Sequence, residues 1–230
     1  MAEFLSVSSY FGFFLSIGAY IIGMALRKKF NLTVLNPLTI AMVIVIAILL
    51  AGDIDYEVYN SSAKYVSYLL TPATISLAVP LYEKLKILKD NFRAIIIGIS
   101  TGVITSFITI LIISIAFSLT HEQYVTLIPK SITTAIGMDL SKEFGGLPTI
   151  TTASIVITGI FGSVICEKLF KFLKIKNPVA KGLALGCASH AMGTSRAIEI
   201  GEIEGAMSGL SIAVSGILTV IVMNVFVLIY

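Results

Sequence analysis

Residues 94–119 read AIIIGISTGVITSFITILIISIAFSL, and no side chain in this run carries a charge. A helix needs about 20 apolar residues to cross a hydrocarbon core of about 30 Å, so the run is long enough to span a bilayer. Five further windows are equally free of charge: 4–26, 30–52, 65–82, 144–166 and 205–230. Over the 230 residues, hydrophobic types make up 57% and charged types 13%, with a mean hydropathy of +0.98. A soluble domain carries roughly 25% charged residues. Half that density excludes an ordinary soluble enzyme, a disordered chain and a nucleic-acid binder. The expected class is all-α: a polytopic integral membrane protein forming a single transmembrane domain over 1–230.

The basic residues orient the windows. Arg27, Lys28 and Lys29 form one cluster, Lys84, Lys86, Lys89 and Arg93 a second, and Lys168, Lys171, Lys174, Lys176 and Lys181 a third. These twelve of the 16 basic residues mark cytoplasmic loops by the positive-inside rule. The acids Asp53, Asp55, Glu57, Glu202 and Glu204 mark loops elsewhere. About seven spanning helices follow, near 8–27, 36–52, 65–82, 94–118, 148–167, 179–200 and 205–230. The start, MAEFLSVSSYFGFF, has no basic flank and reads as a retained first helix rather than a removable signal. Segment 125–144 contains Pro129, Lys130, Gly137 and Asp139. It keeps the third basic cluster cytoplasmic only if it enters and leaves on one side, as a re-entrant element.

Irregular backbone persists at membrane depth only where protein buries it or where it lines a wet cavity. Broken segments are therefore the first place to look for function. Residues 72–81, PATISLAVPL, resemble residues 129–138, PKSITTAIGM, with Pro80 facing Gly137 in the alignment. Asn36-Pro37 and Asn177-Pro178 each follow a basic run. These echoes suggest an internal repeat with discontinuous helices, relating segments 65–118 and 125–172. Interrupted hydrophobic segments at matching places in two halves point to a transporter site.

Three groups of residues could bind a ligand. In CASHAMGTSRAIEIGEIEG (187–205), Ser189, His190, Thr194, Arg196 and Glu199 crowd together. Arg196 could snorkel to headgroups, or its planar fork could hold a carboxylate, with Glu199 three residues away on the same face. His190 could pack, donate to an anion or titrate. The hydroxyls of Thr74 and Ser76, and of Ser131, Thr133 and Thr134, sit beside expected helix breaks, where half-helix N-termini favour anions. Lys130 adds a positive charge there. Such hydroxyls also bond to their own helix or join helices. Glycine pairs at Gly98/Gly102 and Gly182/Gly186, and the series Gly201/Gly205/Gly209, indicate close helix packing. Cys166 and Cys187 lack metal-ligand spacing and read as packing residues; His121 beside Glu122 reads as a solvated loop. No phosphate loop, zinc motif or nucleophile elbow occurs, so neither an enzyme nor a cofactor or metal is expected.

The runs TPATISLAVPLYEKLK, PKSITTAIGMDLSKEFGGLP and KNPVAKGLALGCASHAMGTSRAIEIGEIEGAMSGLSIAVSGI resemble the LrgB/CidB family of membrane proteins over about residues 35–225. Cys187 stands where that family usually has a small residue. The resemblance implies two lines of function. Bacterial members are described as antiholin-like or holin-like proteins affecting murein hydrolase activity and lysis. A plant relative is a plastid glycolate/glycerate translocator, and some bacterial members are implicated in pyruvate movement. The resemblance also implies a separate holin-like partner of the LrgA/CidA type.

The first expectation is a carrier of small monocarboxylates in the cell membrane, working by alternating access. Arg196, His190, Ser189, Thr194, Thr74, Lys130, Ser131, Thr133 and Thr134 would line its substrate site. The alternative is an antiholin-like regulator acting with a holin-like partner. The expected partners are the bilayer, a small carboxylate, that holin-like protein and further copies of this chain, with no nucleic acid.

Overall fold

A computed structural model describes residues 10–30, 36–69, 72, 75–76 and 78–230. Every regular element among them is helical. The helices are α1 (Phe11–Phe30), α2 (Pro37–Ala51), α3 (Tyr56–Ser67), α4 (Ala78–Glu83), α5 (Leu85–Asp90), α6 (Phe92–Ala116), α7 (His121–Leu127), α8 (Thr134–Glu143), α9 (Pro148–Phe172), α10 (Pro178–Ile200) and α11 (Glu202–Phe226), with a 3-10 turn at Ile128–Ser131. Four described helices, α1, α6, α9 and α11, are long and apolar enough to cross a membrane; α2 is a shorter apolar helix of 15 residues. The expected span at 65–82 lies partly outside the described residues. The all-α membrane class is therefore the observed one.

The chain divides into two compact units, Met1–Ser76 and Leu77–Tyr230. In the first, α1 packs on α2 and α3 through glycines. A Cβ on Gly12 would lie 2.3 Å from the Tyr59 carbonyl oxygen. The Gly12 N–H donates to Ser62 Oγ at 2.7 Å. The Asn-Pro pairs open helices as N-cap and first-turn residue: the Asn36 side chain accepts from Leu38 N at 2.9 Å and the Asn177 side chain from Val179 N at 2.8 Å.

In the second unit, α6, α9 and α11 are the long elements, each of 25 residues. At 1.5 Å per residue each is about 37 Å long, enough for a full crossing. Two helical hairpins pack against them.

The first hairpin runs from α7 through the 3-10 turn into α8. Thr120 and Gln123 cap its start with a reciprocal pair of hydrogen bonds. His121 is exposed beside this cap. Its limbs lie side by side. A Cβ on Gly137 would lie 3.4 Å from the Pro129 carbonyl oxygen. Nearer the base, the Thr151 hydroxyl of α9 is 2.9 Å from the Thr126 carbonyl and 2.7 Å from Ser141 Oγ. Segment 125–144 thus folds back on itself as a hairpin, the form expected of a re-entrant element, with its tip at 131–133.

The second hairpin corrects an expectation. The span anticipated at 179–200 does not run through, because α10 breaks at His190, where φ is 42° and ψ is −131°. The chain reverses there. Gly186 and Thr194, four residues to either side, both meet Ser208 of α11: a Cβ on Gly186 would lie 2.4 Å from the Ser208 carbonyl, and the Thr194 hydroxyl is 2.7 Å from Ser208 Oγ. Further down, Gly182 meets Glu204 and Gly205 meets Ile198. Limbs 178–189 and 191–200 therefore descend together. Each limb of about ten residues reaches about 15 Å, half of a hydrocarbon core.

This reversal also moves an acidic loop. Glu202 was expected away from the basic clusters, yet the doubled-back chain returns it to them, and Lys84 Nζ lies 2.9 Å from Glu202 Oε2. The two hairpins enter from opposite ends. The base of α10 lies at the lysine-rich end. The base of the α7–α8 hairpin lies at the other end, where Tyr124 Oη donates to the Phe226 carbonyl and Tyr230 Oη to the Leu119 carbonyl.

Candidate functional site

Both hairpin tips come to the midpoints of the long helices. Ser131 faces Ser106, in the middle of α6, with 3.3 Å between the hydroxyls. Lys130 Nζ donates to Ser131 Oγ at 3.0 Å and to Ser106 Oγ at 3.4 Å. Proline gives the turn its shape: Pro129 has no N–H to donate and sits at φ −81°, ψ 18°, outside helical geometry. Thr133, extended at ψ 145°, is the N-cap residue of α8, and Thr134 is its first residue. Both are half-buried.

The α10 tip is seated on α9. His190 Nε2 donates to the Ile155 carbonyl at 2.9 Å. The Thr194 hydroxyl donates to the His190 carbonyl at 3.0 Å, tying the first turn of the returning limb to the break. Glycine makes the seat possible. A Cβ on Gly159 would lie 2.7 Å from the His190 ring and one on Gly162 1.8 Å from Ser189 Oγ. Ser189, His190 and Thr194 are all buried.

Ile155 links the tips, since its carbonyl accepts from His190 and its side chain abuts Gly137 of α8. A small cavity lies beside them, lined by Ser106, Ser131, Ile132, Cys187, Ser215 and Thr219 among others. Cys187 also lines a groove of about 550 Å³ between α6 and the first limb of α10. That groove descends past Thr105 and Thr101 to Asn91 and Asn177 at the lysine-rich end. The N-termini of α8 and of limb 191–200 both start at this level, so two helix dipoles present their positive ends to the middle of the unit.

Sequence reasoning missed one element of this site. Ser208, Ser211, Ser215 and Thr219 recur at spacings of three and four and are all buried, forming a hydroxyl stripe on α11 toward the hairpins. The spacing was readable as one helical face. An apolar window with a few hydroxyls did not single it out.

Arg196 does not join the tips. It lies six residues beyond His190, about 9 Å down the returning limb. There its guanidinium is held by Glu167 of α9 and by Glu199 in its own limb. It lines a cleft at the lysine-rich end with Lys171, Lys174, Lys176 and Lys181. An unbroken span over 179–200 would carry Arg196 within the membrane; the reversal at His190 returns it to the lysine-rich end. Thr74 lies outside the described residues. Ser76 is exposed and donates to the Pro72 carbonyl at 2.8 Å. Cys166 is buried beside Leu185 and Ala197, a packing role.

A model of the LrgB-like family matches residues 16–229. The chain belongs to the LrgB-like family. Among curated relatives, the antiholin-like protein LrgB of Bacillus cereus (strain B4264) is 36% identical over 222 residues, covering 96% of each chain. The antiholin-like protein LrgB of Bacillus anthracis (strain CDC 684 / NRRL 3495) is similar to the same extent. No solved structure matches the chain. In this member of the LrgB-like family, the matched span contains both hairpins and all three 25-residue helices.

Proposed function

We propose that the protein carries small monocarboxylates, of the glycolate, glycerate or pyruvate kind, across the cell membrane by alternating access. The observation that carries this reading is the meeting of two opposed hairpin tips at the midpoints of α6, α9 and α11. Broken helices at that level, with their N-termini directed inward, are the usual construction of a secondary-transporter site. Lys130 and the N–H groups opening α8 attract the carboxylate. Ser131, Ser189 and Thr194 supply hydroxyls for the substrate's own hydroxyl or keto oxygen. The groove between α6 and α10 supports access from the lysine-rich end.

The test is uptake of labelled glycolate or pyruvate by the purified protein in liposomes. Uptake saturates, is competed by unlabelled acid, and falls at least about tenfold in Lys130→Met, given the roughly 1.5–3 kcal/mol of a hydrogen bond to a charged group. Loss of uptake in Arg196→Gln, with Lys130→Met unaffected, would move the anion to the lysine-rich end.

The names of the relatives favour a second reading, an antiholin-like regulator of murein hydrolase activity that assembles with a holin-like partner and with its own copies. It predicts partner-dependent leakage with no saturation by any acid. Saturable, competed uptake by this protein alone separates the two.

A further inference from the structure

The cleft beside Arg196 is distinct from the hairpin tips. It is a cavity of about 630 Å³ walled by the end of α9, the 173–177 connection and both limbs of α10 at their base. Its cations are Lys171, Lys174, Lys176, Lys181 and Arg196; its carboxylates are Glu167 and Glu199. Arg196 engages both carboxylates. That leaves the lysines as the groups open to an incoming anion. Among the described residues these four ammonium groups are paired with no carboxylate.

The backbone aims them. The Ile175 N–H bonds back to the Phe170 carbonyl at 2.9 Å and the Lys174 N–H to the Lys171 carbonyl at 3.2 Å. This closes α9 with Lys174 in the left-handed region at φ 55°. The closure turns the chain back over the cleft, so Lys174 and Lys176 come to one rim with Lys181 on another wall. Phe170, Ile175 and Ile200 add an apolar lining, and Leu169, Phe172 and Leu173 are exposed at the same end of α9.

We propose that this cleft binds a phosphate-bearing anion, its phosphate held by Lys171, Lys174, Lys176 and Lys181 and its apolar part resting on Phe170, Ile175 and Ile200. Basic pockets between helices at the cytoplasmic face bind anionic headgroups in this way. A lipid headgroup and a free phosphate compound offer the same chemistry to the lysines; the apolar lining and the exposed flank favour the lipid. An occupant would join α9 to the first limb of α10, as Arg196 already joins α9 to the second.

The experiment uses the full chain in zwitterionic nanodiscs, with phosphatidylglycerol as lipid probe and pyrophosphate as soluble probe. Lipid retained through purification is measured by native mass spectrometry. Wild-type protein retains phosphatidylglycerol over phosphatidylcholine, and Lys171→Gln/Lys174→Gln/Lys176→Gln lowers that retention by at least about tenfold. The corresponding triple arginine variant restores it. All three positions are exposed, so folding is spared. Pyrophosphate binding that needs the same lysines, without lipid retention, assigns the site to a soluble phosphate compound. Equal retention of the two lipids with no pyrophosphate binding, or full retention by the glutamine variant, overturns the proposal.

Discussion

The two hairpins reach the same depth by different means. The α7–α8 hairpin turns gradually, over a proline and a 3-10 turn, and hydroxyls of three segments hold its base together. Thr151, Thr126 and Ser141 meet there, and the Leu147 N–H donates to Thr126 Oγ1 at 2.9 Å. The α10 hairpin turns within one residue, His190, in a backbone region that costs an L-residue about 1–3 kcal/mol. It is held at its tip, through Ile155, Gly159 and Gly162, and at its base through Arg196. A turn built from local sequence needs fastening where its limbs diverge. A turn imposed by tertiary contact needs fastening at the turn itself.

The contrast can be broken most forcefully within α10. A Cβ on Gly193 would lie 2.3 Å from the Leu185 carbonyl oxygen and 2.7 Å from Ser189 Cβ, with no flexible end to yield. Gly193→Ala is expected to destabilise the protein by about 3 kcal/mol in reversible micellar unfolding, the upper range for overpacking. A neutral result would mean the limbs are not in contact. In the other hairpin, Thr151→Val removes the hydroxyl shared by Thr126 and Ser141 while keeping its volume. The expected loss is about 2 kcal/mol, since buried polar partners are left open. The smallest effect is the most diagnostic. His190→Gly and His190→Ala both lose the bond to Ile155, but only glycine accepts positive φ without strain. The glycine variant should be the more stable by about 1 kcal/mol. An alanine variant more stable than the glycine variant by about 1 kcal/mol would place His190 in ordinary helix.

These differences explain what could be read in the sequence. The charge-free windows mark the long apolar helices because apolar length acts locally. Pro129, with Gly137 beyond it, marks the first hairpin because a proline past the first turn of a helix removes a backbone hydrogen bond and breaks it. The LrgB-like family could be read from the 187–205 run. Nothing in SHAMG announces a reversal at His190; a histidine has no intrinsic preference for φ 42°, and its cause lies in Gly159 and Gly162, some thirty residues upstream. For the same reason Glu199 could be named as a partner of Arg196 from helical spacing, whereas Glu167 could not. The hydroxyl stripe of α11 acquires meaning only once both hairpins lie against it.

Each hairpin returns to the end from which it entered. In a background lacking Cys166 and Cys187, single cysteines at Lys176 and Glu202 flank α10, and those at Glu122 and Glu143 flank the α7–α8 hairpin. A membrane-impermeant maleimide applied to oriented vesicles should label Lys176→Cys and Glu202→Cys from one face and Glu122→Cys and Glu143→Cys from the other. Labelling of Glu202→Cys from the same face as Glu122→Cys would make α10 a through-going span and rule out its reversal at His190.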